Sequence, residues 1–146
     1  MMHPDGAKDY VEVLLDYQFD LLWKRGFGNN HAEFLFAQAS AIICRYPELR
    51  EWLVSQIRSN VFGSYRIDGN TLLRPAGYIP HEFIFYFAHV TRWPELGNIA
   101  NEVRGSSSDE LLDNPFNKWS TKLAEALTDD WEDRDFYSFG SAANVV

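Results

Sequence analysis

The chain contains Arg45-Tyr46-Pro47-Glu48-Leu49, and 47 residues later it contains Arg92-Trp93-Pro94-Glu95-Leu96. In both copies an aromatic-rich apolar stretch ends at the arginine, and an amphipathic stretch follows the proline. Proline is favoured at the first position of a helix, where its missing N–H is not needed. Each motif therefore predicts a corner between two helices. The register also aligns two pairs upstream of the motifs, Phe36 with Phe83 and Ala41 with Ala88.

The spacing of the two motifs is typical of stacked helical arrays. A two-helix unit of about 40–47 residues is the period of HEAT and armadillo arrays. Such units stack because a single helical hairpin cannot bury its apolar face alone. The alternative is that Pro-Glu at a helix start, a common capping combination, recurs by chance. We predict an all-α fold, a compact array of helical hairpins of the HEAT/armadillo kind.

Helical periodicity extends outward from the motifs and predicts about six helices. Apolar spacing predicts a first helix from about Lys8 to Lys24 and a second, capped by Asn30, from His31 to Arg45. A third helix is predicted to begin at Pro47. The remaining three are predicted at Pro80 to Arg92, Pro94 to Arg104 and Phe116 to Thr128. Residues 1–146 are predicted to form a single helical domain, with 138–146 as a disordered tail.

Residues 60–78 interrupt the helical pattern. Asp68-Gly69 is a favoured pair for a tight hairpin turn, so the segment predicts a small β-hairpin. Because the flanking residues alternate poorly, an ordered loop is the alternative. A segment of this length between helices is more often functional than idle, which makes 60–78 a second candidate contact region.

The composition excludes several classes of partner. With 13 basic and 21 acidic residues the chain has a net charge of −8, and this field repels a nucleic acid backbone. No apolar run approaches the roughly 20 residues needed to cross a bilayer, so we expect no membrane partner. The single Cys44 rules out a disulfide framework within the chain, is expected to be buried, and favours the cytoplasm.

No catalytic, metal-binding or cofactor-binding motif is complete. His81-Glu82 resembles the start of the HExxH zinc motif, but Phe85 stands where the second histidine is needed. The chain has no glycine-rich phosphate loop and no GxSxG motif. The sequence therefore predicts no cofactor, no metal and no enzyme. The enzyme alternative requires a buried carboxylate–histidine pair that involves His81 or His89.

Charge is concentrated near the end of the chain. Between Asp109 and Asp135 there are nine acidic and three basic side chains. Aromatic side chains in the centre of an interface supply contact area, and surrounding carboxylates steer a cationic partner. In the alternative interpretation, this is a solvated acidic end with its aromatics under the bundle. The predicted partner-binding residues are Asp129, Asp130, Trp131, Glu132, Asp133, Asp135, Phe136 and Tyr137.

The chain resembles bacterial immunity proteins of polymorphic toxin and contact-dependent inhibition systems. The resemblance spans about residues 33–137 and is carried by the aromatic-Pro-Glu-Leu corners and by the acidic-aromatic ending, residues 130–137. It implies a stoichiometric inhibitor that covers the active site or substrate surface of a basic toxin domain, for which nucleases are one class. A second hypothesis is a HEAT-like scaffold or homodimeric interaction module that assembles through an apolar groove. The sequence leaves the oligomeric state unknown.

Overall fold

The computed structural model describes residues 3–63, 65, 67–106 and 115–138, and for 104–106 and 115–120 it describes the helical backbone alone. Six α-helices account for most of this part of the chain, as the sequence predicted. They are α1 (Pro4–Phe19), α2 (Asn29–Arg45), α3 (Glu48–Phe62), α4 (His81–Thr91), α5 (Pro94–Ser106) and α6 (Pro115–Ala126). A π-helical turn (Asp20–Lys24) extends α1, and a 3₁₀ turn (Glu132–Phe136) follows α6.

Helix α1 begins four residues earlier than its apolar spacing suggested. The imidazole Nδ1 of His3 accepts a hydrogen bond from the N–H of Asp5 at 3.1 Å, and Pro4 occupies the first turn. This cap satisfies a backbone donor that would otherwise lack a partner. At the other end, Gly26 adopts φ +66°, and the backbone then turns into α2. The ends of α1 are therefore set by local capping rather than by apolar periodicity.

The two predicted hairpins, α2–α3 and α4–α5, lie side by side. Helix α2 packs against α4 and α3 packs against α5, so equivalent helices of the two hairpins are neighbours. The Phe36 and Phe83 rings, which the 47-residue register aligns, are in contact at a centroid distance of 5.8 Å. Helix α1 packs against α2 at one end of this arrangement, and α6 packs against α4 and α5 at the other.

An ion pair joins the two corners of the repeat. The Arg50 Nε and Nη2 atoms donate to the two carboxylate oxygens of Glu95 at 2.7 and 2.8 Å. The guanidinium carbon of Arg50 also lies 4.4 Å from the centre of the Trp93 ring. About two helical turns further along α3 and α5, Arg58 and Glu102 make a second bidentate pair. These contacts fix the register of the two hairpins.

The segment 60–78 is an ordered loop rather than the β-hairpin that Asp68-Gly69 suggested. Helix α3 continues to Phe62, and the described residues of the segment contain no strand. Buried Asn60 holds the far end of the loop, donating to Gly77 O and accepting from the N–H of Ile79, both at 2.8 Å. Side-chain hydrogen bonding thus replaces the ladder that a hairpin would need.

None of the helices in the described part of the chain has the length and apolar character needed to cross a bilayer. The predicted disordered tail, 138–146, lies outside the described residues from position 139 onward. Ser138 is described, and it contacts α2 as detailed below.

Candidate partner-binding surface

The two largest aromatics of the predicted binding segment lie in the core. Trp131 is 4% exposed and Tyr137 is 9% exposed. Their rings stack on one another at 5.7 Å, and Tyr137 also packs edge-on against Phe36 and Tyr86. The prediction that Trp131 and Tyr137 are surface anchors is therefore wrong. The hydrophobic effect favours burying these rings against α2 and α4 over leaving them in water.

Burial also changes the acidity of the tyrosine hydroxyls in this cluster. Desolvation raises the pKa of Tyr137 well above its ordinary value and raises the pKa of Tyr86 to about 12. Carboxylates on α2, α4 and the 3₁₀ turn act on Tyr137 in the same direction. Both rings therefore remain neutral core residues at any physiological pH.

The other six predicted residues are not equivalent. Asp130, Glu132, Asp135 and Phe136 are exposed, and we call these four the acidic rim. Phe136 has 61% of its surface exposed. Because successive residues of the turn point in different directions, burial of Tyr137 leaves Phe136 facing outward. The structure thus brings three carboxylates and one exposed aromatic ring together on one short turn.

Asp129 and Asp133 lie beside the acidic rim with contacts of their own. Asp129 accepts a hydrogen bond from Arg92 at 2.6 Å, and this contact holds the pKa of its carboxyl below the ordinary value. Arg92 has φ +51°, the one positive φ at a non-glycine among the described residues. Asp133 is half-buried and lines a cleft on the α4 side. Asp129 is thus exposed but paired with Arg92, and Asp133 is only half-exposed.

The residue after the 3₁₀ turn and Tyr137, Ser138, is hydrogen-bonded to α2. The N–H of Ser138 donates to the Glu33 carboxylate at 2.9 Å, and its hydroxyl lies 3.1 Å from the same oxygen. At the other end of the turn, Arg134 donates to the Asp129 carbonyl. Together with the buried Trp131 and Tyr137, these contacts hold the acidic rim in one position. A surface held in this way loses little conformational entropy on binding.

The enzyme alternative required His81 or His89 in a pocket with a carboxylate. His81 lies with Glu82 and Asp133 on a cleft of about 280 Å³, and its Nδ1 is 3.3 Å from the Glu82 carboxylate. His81 therefore shares a cleft with two carboxylates, but its side chain is 53% exposed rather than buried, and the enzyme alternative stays a prediction. Across the described residues, no three histidine, cysteine, aspartate or glutamate side chains are arranged to hold a metal ion.

Three carboxylates on α1 and the π turn that follows it are paired with the chain's own cations. Arg74, whose side chain is 5% exposed, contacts both Glu12 and Asp16 and also donates to the Tyr78 carbonyl at 2.6 Å. Asp20 contacts Arg25 at 2.7 Å. These carboxylates pin the 60–78 loop and the π turn to α1, and they add little to the field of the acidic rim.

Two features of the surface were missed in the sequence. Leu72 and Leu73, on the loop that Arg74 pins, are 69% and 81% exposed. A mostly apolar cleft of about 880 Å³ also opens at the first corner, between the start of α1 and the α2–α3 junction.

Comparisons of the chain with protein-family models, with curated proteins and with solved structures found no match.

Proposed function

We propose that this protein is a non-catalytic binding protein that neutralises a basic protein partner by direct contact, as immunity and antitoxin proteins do. The observation that carries the proposal is the acidic rim, which exposes the carboxylates of Asp130, Glu132 and Asp135 and the ring of Phe136 within seven consecutive residues. Carboxylates around an apolar anchor speed association with a cationic surface and exclude anionic ones. The resemblance to immunity proteins favours a basic toxin domain as the partner, with a nuclease as one class that fits.

The buried residues beneath the acidic rim hold it in place, and such a fixed surface suits an inhibitor better than a protein that binds its partner only transiently. The acidic turn is fixed by Trp131 and Tyr137 from below and by Glu33 at its end. A fixed surface gives tight binding because little order has to be gained on association. Stoichiometric inhibition needs such a long-lived complex, since most affinity differences arise in the dissociation rate.

The direct test is to reverse the charge of the acidic rim. Asp130, Glu132 and Asp135 are replaced together by lysine, and binding is measured to the protein encoded by the adjacent reading frame. We expect the dissociation constant to rise by at least about tenfold, mainly through slower association, and the salt dependence to become weaker. The matched control replaces three exposed carboxylates elsewhere, Asp5, Asp9 and Glu51, with the same change in net charge. Equal affinity and equal salt dependence in the two variants would remove the rim from the interface.

The aromatic part of the rim has its own test. Phe136→Ser should weaken the same complex by about tenfold, since an apolar anchor in an interface centre is worth about 1–2 kcal/mol or more. Stability should barely change, because the ring is 61% exposed in the unbound protein. The comparison of binding by calorimetry with unfolding by urea separates the two effects. A large loss of stability with unchanged binding would contradict the assignment.

The second candidate function is a scaffold or homodimeric interaction module. The specific observation in its favour is the loop tip at Leu72 and Leu73, because adjacent large apolar side chains this exposed often mark contact sites. Light scattering over a range of protein concentrations distinguishes the candidates. Self-association that Leu72→Ser and Leu73→Ser abolish favours the module, and a monomer at all concentrations favours the inhibitor.

A further inference from the structure

The second corner of the repeat contains a complete receptor for an arginine side chain. The Arg50 guanidinium lies 4.4 Å from the centre of the Trp93 ring and forms two hydrogen bonds with the Glu95 carboxylate. An aromatic face and a bidentate carboxylate are the two groups that a guanidinium prefers. The receptor consists of residues from the corner motif itself, the aromatic before the proline and the glutamate after it.

The first corner carries the same two groups, and no described arginine is paired with them. Tyr46 takes the place of Trp93 and Glu48 takes the place of Glu95. Both line the cleft of about 880 Å³, together with Pro47, Ala41, Ile42, Arg45 and Pro4. Glu48 is exposed and forms no ion pair with any described residue. The receptor at the first corner is therefore open to solvent.

The register of the chain explains why none of its own cations pairs with this corner. Helix α1 packs mainly on α2 and also contacts α3, with Lys8 5.3 Å from the Trp52 ring centre. Arg50 precedes Glu95 by 45 residues, and the same separation from Glu48 leads to His3. The His3 imidazole instead accepts from the N–H of Asp5, and its side chain is 76% exposed. The chain thus supplies no cation at the equivalent place.

We infer that the cleft at the first corner receives an arginine side chain of the protein partner, held between the Tyr46 ring and the Glu48 carboxylate. The inference rests on the proposed function, since it assigns part of the basic partner's contact to this cleft. Arg45 also lines the cleft, but its equivalent at the second corner, Arg92, binds Asp129 and leaves Glu95 to Arg50. At the second corner the neighbouring arginine and the bound arginine thus coexist, with Asp129 pairing the former. Among the described residues Arg45 has no such carboxylate partner, so recognition at the first corner depends on the Tyr46 ring and the Glu48 carboxylate rather than on the net charge of the cleft.

Charge and shape favour this occupant over a second copy of the chain or a lipid surface. Two copies with a net charge of −8 each repel one another, and an anionic membrane is repelled in the same way. The aliphatic stem of an arginine packs on apolar surface while its charged end pairs with a carboxylate. Ala41 and Ile42 supply such a surface beside Glu48.

The test uses N-acetyl-argininamide as the probe and N-acetyl-citrullinamide, its uncharged analogue, as the control. In amide-resolved NMR spectra we expect saturable shifts at Ile42, Tyr46 and Glu48 with the arginine probe alone. Glu48→Gln should weaken this binding about three- to fivefold, as expected for a partly exposed charge pair, and Glu51→Gln on the same helix should leave it unchanged. Absent shifts, equal shifts with the citrulline analogue, or equal effects of the two variants would each overturn the inference.

A second measurement separates the inference from the proposed function. The protein encoded by the adjacent reading frame is titrated against the wild type, Glu48→Gln and Glu51→Gln. Weaker binding of Glu48→Gln alone supports the cleft as part of the interface. Tight binding that all three share overturns the cleft while the proposed function stands, and no binding to the wild type overturns the proposed function itself. Circular dichroism verifies that both exposed substitutions leave the helices intact.

Discussion

The two corners of the repeat have nearly the same sequence, but one holds an arginine of the chain and the other is open to solvent. At the second corner Trp93 and Glu95 hold Arg50, and the pair joins two helical hairpins. At the first corner Tyr46 and Glu48 line an open cleft. The difference follows from the neighbour of each corner: α3 supplies Arg50 to the second corner, whereas the start of α1, which packs against α2 and lines the cleft with Pro4, supplies no cation to the first. A motif that holds an arginine at one corner thus lines an accessible surface at the other.

Enlarging the equivalent alanines tests this difference most strongly. Ala88 on α4 is 0% exposed, whereas Ala41 on α2 is exposed. Ala88→Leu should lower the free energy of unfolding by about 2–3 kcal/mol, because extra carbons in a packed core force side chains and backbone apart. Ala41→Leu should change it by less than about 0.5 kcal/mol. Urea unfolding of the two variants measures both values, and similar losses would mean that the corners are packed alike.

Removing the charge of the equivalent glutamates should give a smaller contrast. Glu95→Gln breaks the bidentate pair with Arg50, and we expect a loss of about 1 kcal/mol, the upper end for exposed ion pairs. The Glu95 side chain is 35% exposed, so solvent screening limits the effect. Glu48→Gln should be neutral in the unbound protein. Thermal unfolding at low ionic strength provides the comparison, and equal melting temperatures for the two variants would contradict the structural role of Glu95.

The pH dependence of this contrast is the smallest expected effect. Hydrogen bonding from Arg50 lowers the pKa of Glu95 from 4.5 to about 2. A carboxyl with a depressed pKa in the folded state stabilises the fold above its unfolded pKa, and this contribution is lost as the pH falls. The stability difference between wild type and Glu95→Gln should therefore be full above about pH 5 and vanish between pH 4.5 and 2. A difference that persists unchanged at pH 2 would assign it to packing rather than to charge.

Much of the fold was predictable because it depends on local chemistry. The corners at Pro47 and Pro94 and the six helices follow from proline, glycine and apolar spacing. The predicted cap at Asn30 is wrong, because α2 begins at Asn29 with Gly28 at its N-cap and no side-chain cap. The start of α1 was placed too late because a histidine cap carries no apolar signal. The hairpin at Asp68-Gly69 was wrong because buried Asn60, a side chain outside that turn, determines part of the loop's geometry.

The surface was less predictable than the helices, since exposure depends on which helices become neighbours. Cys44 was expected to be buried, yet it is exposed on α2. Trp131 and Tyr137 were expected at the surface, yet they pack against α2 and α4. The acidic rim itself was predictable, because carboxylates this dense remain in water wherever the turn lies. The cleft at the first corner required the coordinates, since its opening depends on where α1 begins.

The tie between Glu33 and Ser138 has a consequence for how the molecule is made. It closes a loop of 105 residues, whereas the helix-to-corner contacts that precede it are mostly local. Long-range contacts form late in folding, because the entropy cost of closing the loop must be met before the contact contributes favourable free energy. We therefore expect the helical hairpins to form before Ser138 docks on Glu33. A product truncated before residue 129 would contain the helices and yet lack the acidic rim.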